Sequence, residues 1–165
     1  ILMSIEPGYL CPGFFYALFI RKIVAYKMNA TRSIVMVSFS HMIFYVKDVE
    51  SALAFYNEAF DVETLFIHES RAYGELKTGS TALAFASEEL GKMNLPEGFR
   101  GNDLKDVPAG CEVVFTTEDI EKTYEKAISK GAVDVAKPMQ KPWGQKVAYV
   151  RDLDGLLIEI ATVMK

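Results

Sequence analysis

The sequence predicts an α+β fold in which two βαβββ modules form a curved, mixed-sheet half-barrel around a cavity, and three observations lead there. The first is composition: 165 residues, 50% hydrophobic and 24% charged, suit one folded, water-soluble domain with a single core. The second is a repeat. Val49 and Ile120 stand 71 positions apart, and so do His41 and Glu112, so a strand-to-helix unit superposes on itself without a gap. The third is that each unit is followed by three short strand candidates separated by turn signals.

Taken in order, Phe39 to Lys47 alternates as a strand, and Asp48 is placed to cap a helix that sets Val49, Leu53, Tyr56 and Phe60 on one face. Val62 to Glu69, Ala72 to Thr78 and Thr81 to Ala86 follow as strands, the last two joined by the turn Lys77-Thr78-Gly79-Ser80. The second module repeats this with a strand from Cys111 to Thr117 and a helix whose Ile120, Tyr124, Ala127 and Ile128 point inward, stopped by Gly131. Val133 to Met139, Lys146 to Arg151 and Leu156 to Thr162 complete it, with Asp152-Leu153-Asp154-Gly155 as the final turn. Between the modules, Ser87 to Gly110 holds Gly91, Pro96, Gly98, Gly101 and Pro108 and reads as a linker with one helical turn, the kind of long loop that covers sites.

Residues 1–36 differ in character, carrying Arg21, Lys22, Lys27 and Arg32 against Glu6. They read either as an extension that packs as a helix or as sequence upstream of the natural start at Met36. The expected organisation is an extension over 1–36 and a domain over 37–164, split into module one (37–86), linker (87–110) and module two (111–164). The apolar run Phe14 to Ile20 is too short to span a bilayer, and its positive charges follow it where a secretory signal would place them before.

A net charge of −4, a pI near 5.3 and the lack of any Lys/Arg cluster exclude the electrostatic footprint of a nucleic-acid binder. The two cysteines, Cys11 and Cys111, form neither a disulfide framework nor a thiolate metal site, and a reducing, cytoplasmic setting is expected.

Strand alternation puts His41 on a face with Phe39, Ile43 and Tyr45, and Glu112 on a face with Val114 and Thr116. Glu159 lies in the otherwise uncharged run Leu156 to Ala161, where a buried carboxylate needs a partner or a metal. One imidazole and two carboxylates suit zinc, nickel, manganese or iron if the strands curl together. The plainer reading leaves the two glutamates in water and His41 satisfied in the core. Ala82, Ala84 and Ala86 share a face and either leave room for a ligand or pack tightly. Trp143, in a Pro-Trp-Gly loop, stacks on a planar ligand or closes the barrel mouth, and Tyr45, Phe85 and Tyr149 pose the same question. Together Ala84, Phe85, Tyr45, Trp143 and Tyr149 are the candidate pocket wall. His68, Glu69, Arg71, Tyr73 and Glu75 read equally as polar contacts or as a solvated hairpin.

The repeated order, with His41 early and Asp152-Leu153-Asp154-Gly155-Leu156-Leu157-Ile158-Glu159 late, resembles the vicinal-oxygen-chelate superfamily of glyoxalases, bleomycin resistance proteins and extradiol dioxygenases over Val37 to Met164. The stretch Lys141 to Arg151, with its Pro-Trp-Gly-Gln, is similar to glyoxalase-like bacterial members in particular. The resemblance implies metal ligands at His41, Ala84, Glu112 and Glu159, and Ala84 departs from it because alanine binds no metal. Glu112 also stands where the three-ligand enzymes carry histidine. The resemblance therefore implies two functions. One is a metal-dependent, glyoxalase-like lyase acting on a small molecule with vicinal oxygens, with Glu159 and Glu112 as the catalytic carboxylates. The other is a metal-free, bleomycin-resistance-type protein that sequesters a small aromatic ligand. It further implies a homodimer.

Overall fold

Period-two alternation in the strands and one apolar face on each long helix determine the layering in the computed structural model, which describes residues 37–164. The first module comprises β1 (His41–Val46), α1 (Val49–Phe60), β2 (Thr64–Ile67), β3 (Tyr73–Leu76) and β4 (Ala82–Ser87). A short helix, α2 (Glu88–Asn94), follows, and the second module comprises β5 (Glu112–Thr117), α3 (Ile120–Ser129), β6 (Val133–Gln140), β7 (Lys146–Arg151) and β8 (Leu157–Thr162). Each module is thus βαβββ, and the two sheets have equivalent orders, β1-β4-β3-β2 and β5-β8-β7-β6. In each, the first strand runs parallel to the last while the others pair antiparallel. Both sheets are open, so the fold is α+β with two modules, as the sequence predicts. The expected extension over 1–36, with Cys11, lies outside the described residues.

Local chemistry sets the helix ends. The Asp48 carboxylate accepts from the Ser51 N–H at 2.6 Å, and α1 stops at Asp61 in the left-handed region. Asp119 caps α3 in the same way through the Lys122 N–H at 3.1 Å, and Gly131 follows the helix with φ of 101°. The linker departs from expectation. In place of one turn it opens with the seven residues of α2, capped by the Ser87 hydroxyl on the Leu90 N–H and carrying Glu88 and Glu89 in the first turn.

One core serves both modules. α1 lies on β3 and β4, α3 on β6 to β8, and the two helices pack on each other. Tyr56, Phe60, Phe85 and Phe115 interlock there, with the Phe60 and Phe115 rings stacked at 4.8 Å. Polar clamps reinforce the seam: the Tyr56 hydroxyl donates to Asp152 Oδ2 at 3.0 Å, and the Lys47 N–H donates to Asp154 Oδ1 at 3.0 Å. The Asp152 to Gly155 turn is organised by Asp152 Oδ1, which accepts from the N–H groups of Asp154, Gly155 and Leu156. Gly155 has φ of 98°, and a Cβ there would fall 2.7 Å from Arg151 Nη2 and 2.9 Å from the Asp103 backbone, so only glycine lets the linker pass.

No helix among the described residues is long and apolar enough to cross a membrane.

Candidate functional site

Because the buried Phe44, Val46, Leu83, Phe85 and Leu76 face the helices, the opposite face of the first sheet carries His41, Ile43, Tyr45, Tyr73, Glu75 and Ala82. The same logic in the second sheet turns Ile158 and Ile160 inward and leaves Glu112, Val114, Tyr149 and Glu159 on the helix-free face. The registers show how the repeat maps. Ile43 and Glu75 flank Ala84, whereas Val114 and Tyr149 flank Glu159. Ala84 is therefore the counterpart of Glu159, and Glu75 that of Tyr149.

Each face holds one carboxylate under a tyrosine hydroxyl. On the first, the Tyr73 hydroxyl donates to Glu75 Oε1 at 2.8 Å, and His41 Nε2 approaches the same oxygen at 3.4 Å while its Nδ1 lies 2.9 Å from the Ser40 hydroxyl. Glu75 is 8% exposed. Burial, the hydrogen bond to Glu75 and that residue's charge push the Tyr73 phenol up to about 12, so it remains a donor at neutral pH. On the second face the Tyr149 hydroxyl donates to Glu159 Oε2 at 2.5 Å. That hydrogen bond, burial and the charges of Glu159 and Glu112 raise Tyr149 to about 12 as well.

The predicted metal set is not assembled within the chain. His41 stands on the first sheet and Glu112 and Glu159 on the second. Among the described residues no three His, Cys, Asp or Glu side chains come close enough together to hold a metal ion. The described residues of one chain therefore assemble no three-ligand metal centre, although Glu112 and Glu159 share a face on adjacent strands.

Several pocket expectations are also corrected. Phe85 is fully buried in the core with its ring 5.0 Å from Tyr56, because it alternates with Ala84 and faces the helices. Ala84 and Ala86, at 0% and 3% exposure, are packed over, and of the row of small residues Ala82 is the one that reaches an open groove. Tyr45 is half-buried, its ring tilted against that of Phe99 in the linker with centroids 4.5 Å apart. This aromatic pair sits on Gly91, where a Cβ would lie 2.7 Å from both rings. Trp143 is exposed at the β6–β7 turn, with its Nε1 donating to Gln145 Oε1 at 3.1 Å. His68 is taken up by its own turn through Ser70, and Arg71 by an ion pair with Glu50.

A groove of about 700 Å³ runs beside β5, lined by Phe39, Met42, Lys77, Ala82, Glu112 and Val114 among others. Its walls are largely apolar and Lys77 and Glu112 are its charged groups. The linker is held by Arg151, whose buried guanidinium donates to the carbonyls of Asp103, Leu104, Asp106 and Gly155 at 2.8 to 3.2 Å. Glu75 and Arg151 are the residues that sequence reasoning undervalued. Glu75 carries the signal that singled out Glu159, a lone charge in an otherwise uncharged strand, Tyr73-Gly74-Glu75-Leu76.

A model of the Glyoxalase/Bleomycin resistance protein/Dioxygenase superfamily matches residues 38–160. The uncharacterized protein YraH of Bacillus subtilis (strain 168) is 28% identical over 120 residues, 70% of this chain and 90% of its own length. Among solved structures, a glyoxalase-related enzyme from Fulvimarina pelagi superposes with a TM-score of 0.68 at 17% identity, over 78% of this chain and 89% of that one. A glyoxalase/bleomycin resistance protein/dioxygenase family enzyme from Burkholderia phytofirmans PsJN gives 0.63 at 20% identity, over 78% and 100%.

Proposed function

The chain belongs to the Glyoxalase/Bleomycin resistance protein/Dioxygenase superfamily, and on that premise we propose that it binds and sequesters a small, flat organic ligand without a metal. The observation that carries this reading is the groove beside β5, apolar with a few polar groups, the usual character of a small-molecule site. Val114, 49% exposed, lines it, and apart from the groove the open face of the first sheet exposes Ile43 and Phe66 at 44% and 43%. Apolar surface of this kind also supports a homodimer in which a second copy covers part of these faces. Cytoplasmic residence remains the companion expectation.

A metal-dependent lyase is the second reading, favoured by Glu112 and Glu159 sharing one face; it requires His41 of a second copy to complete the ligand set. Elemental analysis of protein purified without chelator, beside Glu159→Gln, separates the two. The binding reading expects no stoichiometric metal in either protein, even after incubation with zinc, nickel, manganese and ferrous iron. About one metal per chain, lost in the variant, would establish the lyase reading instead.

A further inference from the structure

We infer that the β7–β8 turn is a proton-operated latch between the modules: Asp152 and Asp154 grip the first module as a buried pair without a counter-ion, and the grip tightens when the pair takes up a proton. The inference is independent of what fills the groove.

The geometry of the turn carries it. Asp152 and Asp154 are 2% and 7% exposed, and each holds a different element of the first module. Asp152 Oδ2 accepts from the Tyr56 hydroxyl of α1, and Asp154 Oδ1 accepts from the Lys47 N–H where β1 ends. The Asp154 N–H in turn donates to Asp152 Oδ1 at 3.0 Å, which ties the two residues into one unit. Every donor these carboxylates receive is a neutral phenol or amide. Among the described residues neither has an ion-pair partner. Two carboxylates buried two residues apart without a cation resist ionising together.

The charged groups around the turn do not make good the deficit. Arg151, next in the chain, spends its guanidinium on the carbonyls of Asp103, Leu104, Asp106 and Gly155. Lys47 is the cation that Asp154 feels, and its exposed ammonium is set towards Asp103 at 3.9 Å. Asp48, which caps α1, and Glu88, in the first turn of α2, add negative charge beside Asp154. Burial foremost, and these like charges after it, push both carboxyls above their usual range against the pull of their hydrogen bonds and of Lys47. A carboxyl with a higher pKa in the folded chain than in the unfolded one binds its proton more readily when folded. Its contribution to stability therefore rises as pH falls from neutral towards the ordinary carboxylate range.

The test is urea unfolding of the full chain at about pH 7.5 and about pH 5.5, beside Asp154→Asn, which keeps an acceptor for the Lys47 N–H and removes the charge. On acidification the folded-to-unfolded ratio of wild type is expected to gain about fivefold or more relative to that of the variant. A pH profile that the variant shares, or a wild type that loses ground relative to it, overturns the latch. Carboxyl carbon NMR titration of the wild-type chain is the second readout and needs no variant. At least one aspartate is expected to titrate above the ordinary carboxylate range, and a titration in which none does overturns the inference even if the asparagine variant fails to fold.

Discussion

Replacing Tyr56 by phenylalanine removes one hydroxyl from the seam between the modules and tests whether polar clamps, and not apolar packing alone, hold them together. The ring is fully buried and contacts Phe55, Phe60, Phe85 and Phe115, so phenylalanine keeps the packing. What is lost is the 3.0 Å bond to Asp152 Oδ2, in a carboxylate that is 2% exposed. Burial already pushes the Asp152 carboxyl above its usual range, while the Leu156 N–H and the Tyr56 hydroxyl pull it down. The other oxygen keeps its three turn N–H groups, so the turn survives and only Oδ2 is orphaned. A hydrogen bond to a charged group contributes about 1.5–3 kcal/mol. For a domain of this size, at roughly 4 °C per kcal/mol, that corresponds to a fall in Tm of about 6–12 °C. Differential scanning calorimetry of Tyr56→Phe, Asp152→Asn and the double variant supplies the cycle, with a coupling energy above about 1 kcal/mol expected. A Tm within about 1 °C of wild type, or additive single variants, would refute the clamp and leave the seam to the aromatic cluster.

Two further outcomes follow from the same geometry. Arg151→Lys keeps the charge but replaces a planar fork on four carbonyls by a single ammonium, so the linker should loosen and limited proteolysis within residues 95–110 should accelerate severalfold with the sheets intact. Asp48 is held below its usual value by Ser51 through its hydroxyl and N–H, so its contribution is present above the ordinary carboxylate pKa and lost as pH falls through the lowered one. Asp48→Ala should therefore cost about 1 kcal/mol of stability at pH 7, measured by urea unfolding, and the gap should close in acid below the ordinary carboxylate range.

Much of the fold is legible in the sequence because its causes are local. Asp48 and Gly131 mark helix ends through capping and the left-handed region, and alternation fixes which residues of β1, β4, β5 and β8 turn inward. The 71-residue repeat then duplicates the module. Alternation also predicted the shared faces of His41 with Ile43 and Glu112 with Val114, and the partner that the lone charge at Glu159 needed is the Tyr149 hydroxyl.

Only the tertiary structure decided what those faces meet. The repeat makes His41 and Glu112 equivalent, but equivalence carries no information about distance, and packing α1 on α3 leaves them on separate sheets. Alternation left the alanine row open between a cavity and tight packing; with Ile43 and Glu75 as its neighbours on the adjacent strands Ala84 is fully buried, while Ala82 lines the groove. Glu75 gained its character from Tyr73 and His41, brought to one oxygen from two strands separated by β4. The sequence alone thus determined the modules and the direction in which each side chain points, since both depend on a few consecutive residues. Which charges are buried together depends on strands far apart in the chain, and that was decided by the assembled core.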